Sequence, residues 1–470
     1  MKTLWILTLA LFLFEGFIIQ CDGGNVIGIA KDPSANQSEL PIELIEEILF
    51  RAGFKTTRKA AQAEMKISRG MLNKIFKEYI IMIEICPDGE SKEIIEFDKK
   101  AERYIKIQSY GRLMRLFNHF GEHVRRIHIY YDYMNDNMRR DINKNIIKKC
   151  ANQLTELAIF TLSFDIDDHI EQIWDEISNE NGEIHFPEVK KFKYNGRIPR
   201  RSFDVNSIFP KLETLKLSGN VDNLSCLVHL RQLKELSLNS LSIQENAVVN
   251  IITNNKQITK LAIFSYNTIR TVRSIAENLK DLKTLNVRDA GTNFFVSTTN
   301  HVYNLTSVTS LSVFSDKIEQ FYGNLSFDMP HLKNLELIGW NFDHRITNFI
   351  NRFHVLETVY VHKLTTDNPI SCIQPLIYVK EFSTVNFENS ELSSLKVFFE
   401  NFDKTASNLI TLKLFYFNDS EYSRYEKTMN KINNHLKESM KPTWQISHGY
   451  GTTKPEGKSQ LHFLMFKRDL

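Results

Sequence analysis

The chain has 470 residues, 42% of them hydrophobic and 24% charged, and carries a formal net charge of +3. That is ordinary globular composition with ample length for a large core. A balance so close to neutral calls for neither nucleic acid nor an anionic membrane surface as a partner.

Five cysteines, Cys21, Cys86, Cys150, Cys226 and Cys372, are far apart and form no Cys-x-x-Cys pair. They point to a reducing compartment rather than a disulfide framework. The N-terminus argues the other way. Lys2 precedes an apolar run from Leu4 to Phe14, broken only by Thr8 and closed by Glu15. Residues 1–24 read as a signal-peptide-like leader rather than a membrane span, although Ile19 makes a poor cleavage site before Asp22. Five Asn-x-Ser/Thr sequons (Asn36, Asn223, Asn304, Asn324, Asn418) decide nothing, because an Asn-rich chain yields about this many by chance.

The stretch SELPIELIEEILFRAGF, from Ser38, predicts a helix. Pro41 suits its first turn, Glu43, Glu46 and Glu47 sit where the helix dipole favours negative charge, and Gly53 ends it. Leu44, Ile45, Ile48 and Leu49 give it one apolar face. TTRKAAQAEMK and SRGMLNKIFKEY predict two further helices, the second capped by Ser68. Three short helices make a very small core, and such a unit completes its core against something else.

KEYIIMIEI near Tyr79 and ERYIKIQSY near Tyr104 then read as two strands. From there a repeat organises most of the chain. FPKLETLKL, LRQLKELSL, NKQITKLAI, LKDLKTLNV, LTSVTSLSV, MPHLKNLEL, FHVLETVYV, VKEFSTVNF and ASNLITLKL share the string apolar-xx-apolar-xx-apolar-x-apolar. Their second apolar residues fall at 212, 233, 258, 282, 308, 332, 356, 382 and 409, spacings of 21 to 27 residues. Weaker copies lie upstream at Val124, Leu154 and Val189. This is the period of leucine-rich repeats. In LETLKL, alternation sends Leu215 and Leu217 to one face of a strand and Thr214, Lys216 and Ser218 to the other. Returning helices are predicted at NAVVNIITNNK, TVRSIAENLK, NFINRF and LKVFFENF. The expected fold is therefore α/β: a leucine-rich-repeat solenoid, a curved parallel sheet with outer helices, behind a small helical unit.

Locally basic stretches such as KKFKYNGRIPRR read as solvated loops. The tail predicts two capping strands, Trp444–Ser447 and Leu461–Phe466. The loop between them, GTTKPEGKS, only imitates a phosphate loop: five residues rather than four separate Gly451 from Gly457, and a strand follows Lys458. The expected divisions are a leader (1–24), a helical unit (38–78), repeats (79–440) and capping strands (441–470).

LPIELIEEILFRAG resembles the first helix of an F-box, whose hallmark is Leu-Pro-x-Glu followed by an apolar residue and an Ile/Leu pair. From Ser38 onward the chain resembles insect F-box/leucine-rich-repeat proteins, with ERYIKI after the box and the Trp strand plus LHFLMF at the end. The Val-Cys-x-x-Trp segment of the family's third helix has no counterpart, since Met65 to Met71 reads MKISRGM. The resemblance implies that Leu40, Pro41, Leu44, Ile48 and Leu49 contact the Skp-type adaptor of a cullin–RING ubiquitin ligase. The alternative is that this helix only caps the repeats.

No nucleophile elbow, HExxH or paired zinc-ligand spacing occurs, so neither an enzyme nor a metal or cofactor is expected. FDIDDHIEQ lacks the glycine and spacing of a calcium loop and reads as a solvated turn. The expected function is a non-catalytic substrate receptor. An unidentified protein target would lie on the concave face against Phe160, Phe264, Phe314, Ile338, Tyr360 and Phe415, with His362 nearby. Cytoplasmic or nuclear placement is expected. If the leader functions, the alternative is a secreted or endoplasmic-reticulum repeat protein, and a membrane is involved only if the leader is retained.

Overall fold

A computed structural model describes residues 69–85, 95–99, 102–132, 134–161, 186–196, 205–219, 224, 227, 230, 232–240, 243–264, 269–289, 302–315, 327–342, 344–364, 376, 378–385, 409–416, 434, 444–451 and 461–468. The leader, the helix carrying Leu40, Pro41, Leu44, Ile48 and Leu49, the Ser68 cap, the FDIDDHIEQ turn and the LKVFFENF helix lie outside the described residues.

The described residues begin with α1 (Arg69–Glu78), β1 (Tyr79–Ile83), β2 (Ile95–Lys99), β3 (Glu102–Ile107), α2 (Tyr110–Phe120), β4 (Arg126–Tyr130), α3 (Asp136–Cys150), β5 (Glu156–Phe160) and β6 (Lys191–Asn195). Next come α4 (Val205–Ile208), β7 (Thr214–Ser218), β8 (Glu235–Asn239), α5 (Glu245–Asn254), β9 (Lys260–Phe264), α6 (Ile269–Asn278), β10 (Thr284–Asp289), β11 (Tyr303–Asn304) and β12 (Ser310–Ser315). The last elements are β13 (Phe327–Asp328), β14 (Asn334–Phe342), α7 (His344–Ile350), β15 (Thr358–Leu364), β16 (Glu381–Val385), β17 (Thr411–Tyr416), β18 (Trp444–Gly451) and β19 (Leu461–Arg468).

Seventeen of these strands form one sheet, and fourteen of them run parallel. From β4 to β17 the strands follow chain order, apart from β11 and β13, which pair only with each other. The molecule is thus α/β with one strand per turn, compatible with a solenoid.

The repeated string has a direct structural meaning. Its first two apolar residues open and close a hydrogen-bonded turn: Leu212 N donates to Phe209 O, Leu233 N to Leu230 O, and Leu282 N to Leu279 O, at 3.0–3.2 Å. Pro187, Pro210 and Pro330 take the second place in such turns, where a fixed φ helps and no N–H is needed. The next two apolar residues point inward from the strand: Leu215, Leu217, Leu236, Leu238, Leu261 and Ile263 are all buried. They belong to a single apolar cluster that runs from Met71 to Leu412.

Between turn and strand, one carbonyl serves two donors of the next turn. Glu213 O accepts from Lys234 N and Glu235 N, Lys234 O from Thr259 N and Lys260 N, and the pattern continues to Lys380 O, which accepts from Ile410 N and Thr411 N. This stitch holds every strand from β5 to β17 in the register of its neighbour.

The stitch also corrects one repeat. The string VKEFSTVNF places Phe382 at the second apolar position by sequence, yet Lys380 N donates to Glu357 O and Phe382 pairs with Val359. Val379, buried three residues after the buried Leu376, takes the place before the strand, Phe382 is the first inward strand residue, and Thr384 takes the second inward place opposite Val361. The spacings around it become 23 and 30 residues. A polar Thr384 hid the true frame behind the apolar Val385 and Phe387. KKFKYN is likewise not loop: it is β6 with its approach.

The N-terminal end departs from chain order. β1 lies between β3 and β4, parallel to both, and β2 pairs antiparallel with β3 at the sheet's edge. Flanked on both sides and covered on both faces, β1 is buried throughout, which suits the unbroken apolar run YIIMI. Helix α1 feeds straight into it and sends Met71, Ile75 and Phe76 into the main core. Asn73 Oδ1 accepts from His123 Nδ1 and Arg125 Nη2, both at 3.0 Å, tying α1 to the turn before β4. At the other end β19 pairs antiparallel with β17 and with β18, so two expected capping strands close the sheet.

Gly219, after β7, has φ +104°, and a Cβ there would lie 2.5 Å from the Gly196 carbonyl oxygen. Gly219→Ala should therefore destabilise the chain by at least about 1 kcal/mol in urea titration. An unchanged midpoint would mean the two turns are not packed this closely.

Candidate binding surface

Because inward positions are apolar and alternate with outward ones, the sheet presents three outward rows in fixed register. The first starts Arg126, Glu156, Lys191, Thr214; the second starts His128, Ala158, Lys193, Lys216. The third runs Tyr130, Phe160, Asn195, Ser218, Asn239, then Phe264, Arg288, Phe314 and Ile338.

The expected anchors thus fall into two groups rather than one stripe. Phe160 stacks on Tyr130 with ring centroids 4.6 Å apart. Four strands further on, Phe264 and Phe314 flank Arg288, whose guanidinium lies over the Phe314 ring at 4.3 Å. Phe160, Phe264 and Phe314 are half-buried and so keep contact area for a partner. Ile338 does not: it is 7% exposed, next to Phe314 and just ahead of the irregular stretch of β14 where its register with β15 shifts. It stands in the outward row but offers a partner almost no surface. Tyr360 is half-buried in the second row, between Glu336 and Ser383. Phe415 lies opposite Phe463 of the capping strand, and its side chain, like that of His362, lies outside the described residues.

A feature that the repeat pattern did not flag stands at the N-terminal end of the same face. Glu156 is 2% exposed and accepts from Arg126 Nε at 3.0 Å, His128 Nε2 at 3.1 Å and Lys193 Nζ at 2.8 Å. The second arm of Arg126 reaches Glu102 Oε1 at 2.5 Å, and Tyr104 donates its hydroxyl to Glu102 Oε2 at 2.8 Å. Phe97 stacks on Tyr104 at 5.2 Å, and with Ile80, Met82 and Tyr130 these rings form a second, smaller apolar cluster. One carboxylate therefore links β4, β5 and β6. The signal was available: aligning the upstream strands by their inward residues puts Arg126 directly opposite Glu156.

Burial pushes the Glu156 carboxyl up, but hydrogen bonds from His128 and Lys193 and the Lys193 and Arg126 charges overcome it and hold it far below the usual carboxylate range. Burial pulls His128 down, against the pull of Glu156. Its ring is therefore neutral near pH 7, and its Nε2 carries the proton donated to the acceptor-only carboxylate. The arrangement is satisfied from within and holds the turns together; among the described residues no group of His, Cys, Asp and Glu could hold a metal ion. No protein-family model matches the chain, and no curated protein matches it in sequence.

Both depressed values act in one direction. The unfolded chain takes up a proton at His128 below about pH 6.5, and at Glu156 below about pH 4.3, that the folded chain resists. Stability should fall in two stages as pH drops, read by urea titration at each pH. His128→Gln should shrink the first stage, leaving the part that buried His123, likewise pulled down by burial, contributes. Glu156→Gln, which leaves the half-buried Arg126 and Lys193 without this charge partner, should cost up to about 3 kcal/mol near pH 7. An identical first stage in the His128 variant would contradict this assignment.

Proposed function

We propose that the protein is a non-catalytic leucine-rich-repeat receptor: the substrate-recognition subunit of a Skp–cullin–F-box ubiquitin ligase, holding a protein target on the outward face of its sheet. The observation that carries the binding role is that face, a surface whose first two rows stay in register from β4 to β17, whose third runs from β4 to Ile338 of β14, and which carries two half-buried aromatic groups. The 21- to 27-residue spacing and the turn–strand string support the leucine-rich-repeat reading. The ligase assignment rests on LPIELIEEILFRAG, with Leu40, Pro41, Leu44, Ile48 and Leu49 against the adaptor and the cullin scaffold behind it. The target lies against Phe160, Phe264 and Phe314, with Tyr360 and Phe415 further along. No cofactor or nucleic acid enters this reading.

A second reading, a secreted or lumenal repeat protein, has one structural observation in its favour: Asn304, in the sequon Asn304-Leu305-Thr306, is exposed on β11. One tagged protein in insect cells tests both. Leu44→Asp with Ile48→Asp places two charges in an apolar contact and should abolish co-purification with a Skp-type adaptor while the thermal midpoint stays put. A parent chain that never binds the adaptor, or a glycosidase-sensitive shift from glycan on Asn304 or Asn223, would overturn the ligase reading for the secreted one.

A further inference from the structure

Parallel strands all begin at the same edge of the sheet, so the residues whose carbonyls stitch the turns line one rim. Along that rim cations take every second place: Arg125, Lys190, Lys234, Lys283, Lys333 and Lys380. Between them stand Thr155, Glu213, Thr259, Thr309 and Glu357. Neighbouring strands are about 4.8 Å apart, so the cations recur at roughly 10 Å.

Glu213 shows what an anion does in such a gap. Its carboxylate lies 3.3 Å from Lys190 Nζ and 3.1 Å from Lys234 Nζ, bridging the cations on either side. Glu357 does the same toward Lys380 at 3.4 Å. The two gaps between these glutamates hold Thr259 and Thr309 instead. Their hydroxyls donate to the Lys234 and Lys283 carbonyls, at 3.2 and 3.3 Å, and supply no charge. Lys283 and Lys333 are exposed and have no ion pair among the described residues. Lys280 and Asp281, the middle of the turn before β10, offset one another in charge.

We infer that the rim from Lys234 to Lys333 binds an extended acidic segment of the protein partner, whose carboxylates enter the two gaps over Thr259 and Thr309. This rests on the reading of the sheet as a protein-docking scaffold, and not on the ligase assignment. The gaps are about 10 Å apart, two strand spacings. A polyproline-II segment advances about 3.1 Å per residue with three residues per turn, so acidic residues three apart lie about 9.3 Å apart on one side and match. A nucleic acid fits worse, because a phosphate backbone running on along the rim meets Glu213 at one end and Glu357 at the other.

The test uses the full chain and a fluorescein-labelled peptide with glutamate at every third position among prolines and serines, read by anisotropy. The wild type should bind it, with affinity falling as salt shortens the reach of the charges. Thr259→Glu with Thr309→Glu fills both gaps from within and should weaken binding at least tenfold, with the thermal midpoint unchanged or raised. The peptide with glutamine for glutamate should not bind. A wild type that ignores the glutamate peptide, a double variant that binds it as tightly, or a single-stranded RNA of equal charge that binds better would each overturn the inference. Adaptor co-purification from the same preparations separates the two proposals. Peptide binding without adaptor refutes the ligase reading and keeps the rim, and adaptor binding without peptide does the reverse.

Discussion

A single turn of this chain cannot bury its own inward side chains; only the turns on either side can. Leu215 and Leu217 are out of water because Phe192, Tyr194, Leu236 and Leu238 stand beside them in register. Each buried side chain of this kind contributes about 1.5–3 kcal/mol, which is why the stack holds although each turn alone would not. The stitching carbonyls convert that loose requirement into a fixed one. A slip of one residue would send every leucine outward and every lysine inward, and two backbone N–H groups per turn would lose their acceptor.

The same constraint creates a problem at each end, where an inward pair has a neighbour on one side only. At the C-terminal end β19 lies antiparallel along β17 and β18 along β19. At the N-terminal end the chain uses α1, the displaced strand β1 and the β2–β3 pair, and it covers both faces of β1. Glu156 reinforces this end by drawing Arg126, His128 and Lys193 from neighbouring strands onto one carboxylate. A charge so fully removed from water is tolerable only with that many partners.

Much of this was legible in the sequence because the string encodes two physical events at once, a turn and a strand with two inward residues. Where both held, as in FPKLETLKL or MPHLKNLEL, frame and faces followed directly. Where one failed, the frame slipped: Thr384 in an inward place made Phe382 pass for a turn residue. The position of β1 between β3 and β4 was not legible, since nothing local to YIIMI says which strands will flank it. Ile338 looked outward by alternation, and its burial comes from its surroundings rather than its parity. The Glu156 cluster and the rim needed the upstream strands aligned by their inward residues, which spacing alone does not deliver when insertions separate Val124, Leu154 and Val189.

Binding, on this account, is a by-product of stacking: rows of outward residues and a rim with a cation at every second strand exist because the turns are locked one upon the next. Hydrogen–deuterium exchange on the free, full-length chain tests that lock most directly. The paired amides stitched to each rim carbonyl, from Thr155 and Glu156 to Ile410 and Thr411, should exchange slowly as one uninterrupted block. A fast-exchanging gap within β5 to β17, or two blocks opening independently, would contradict it.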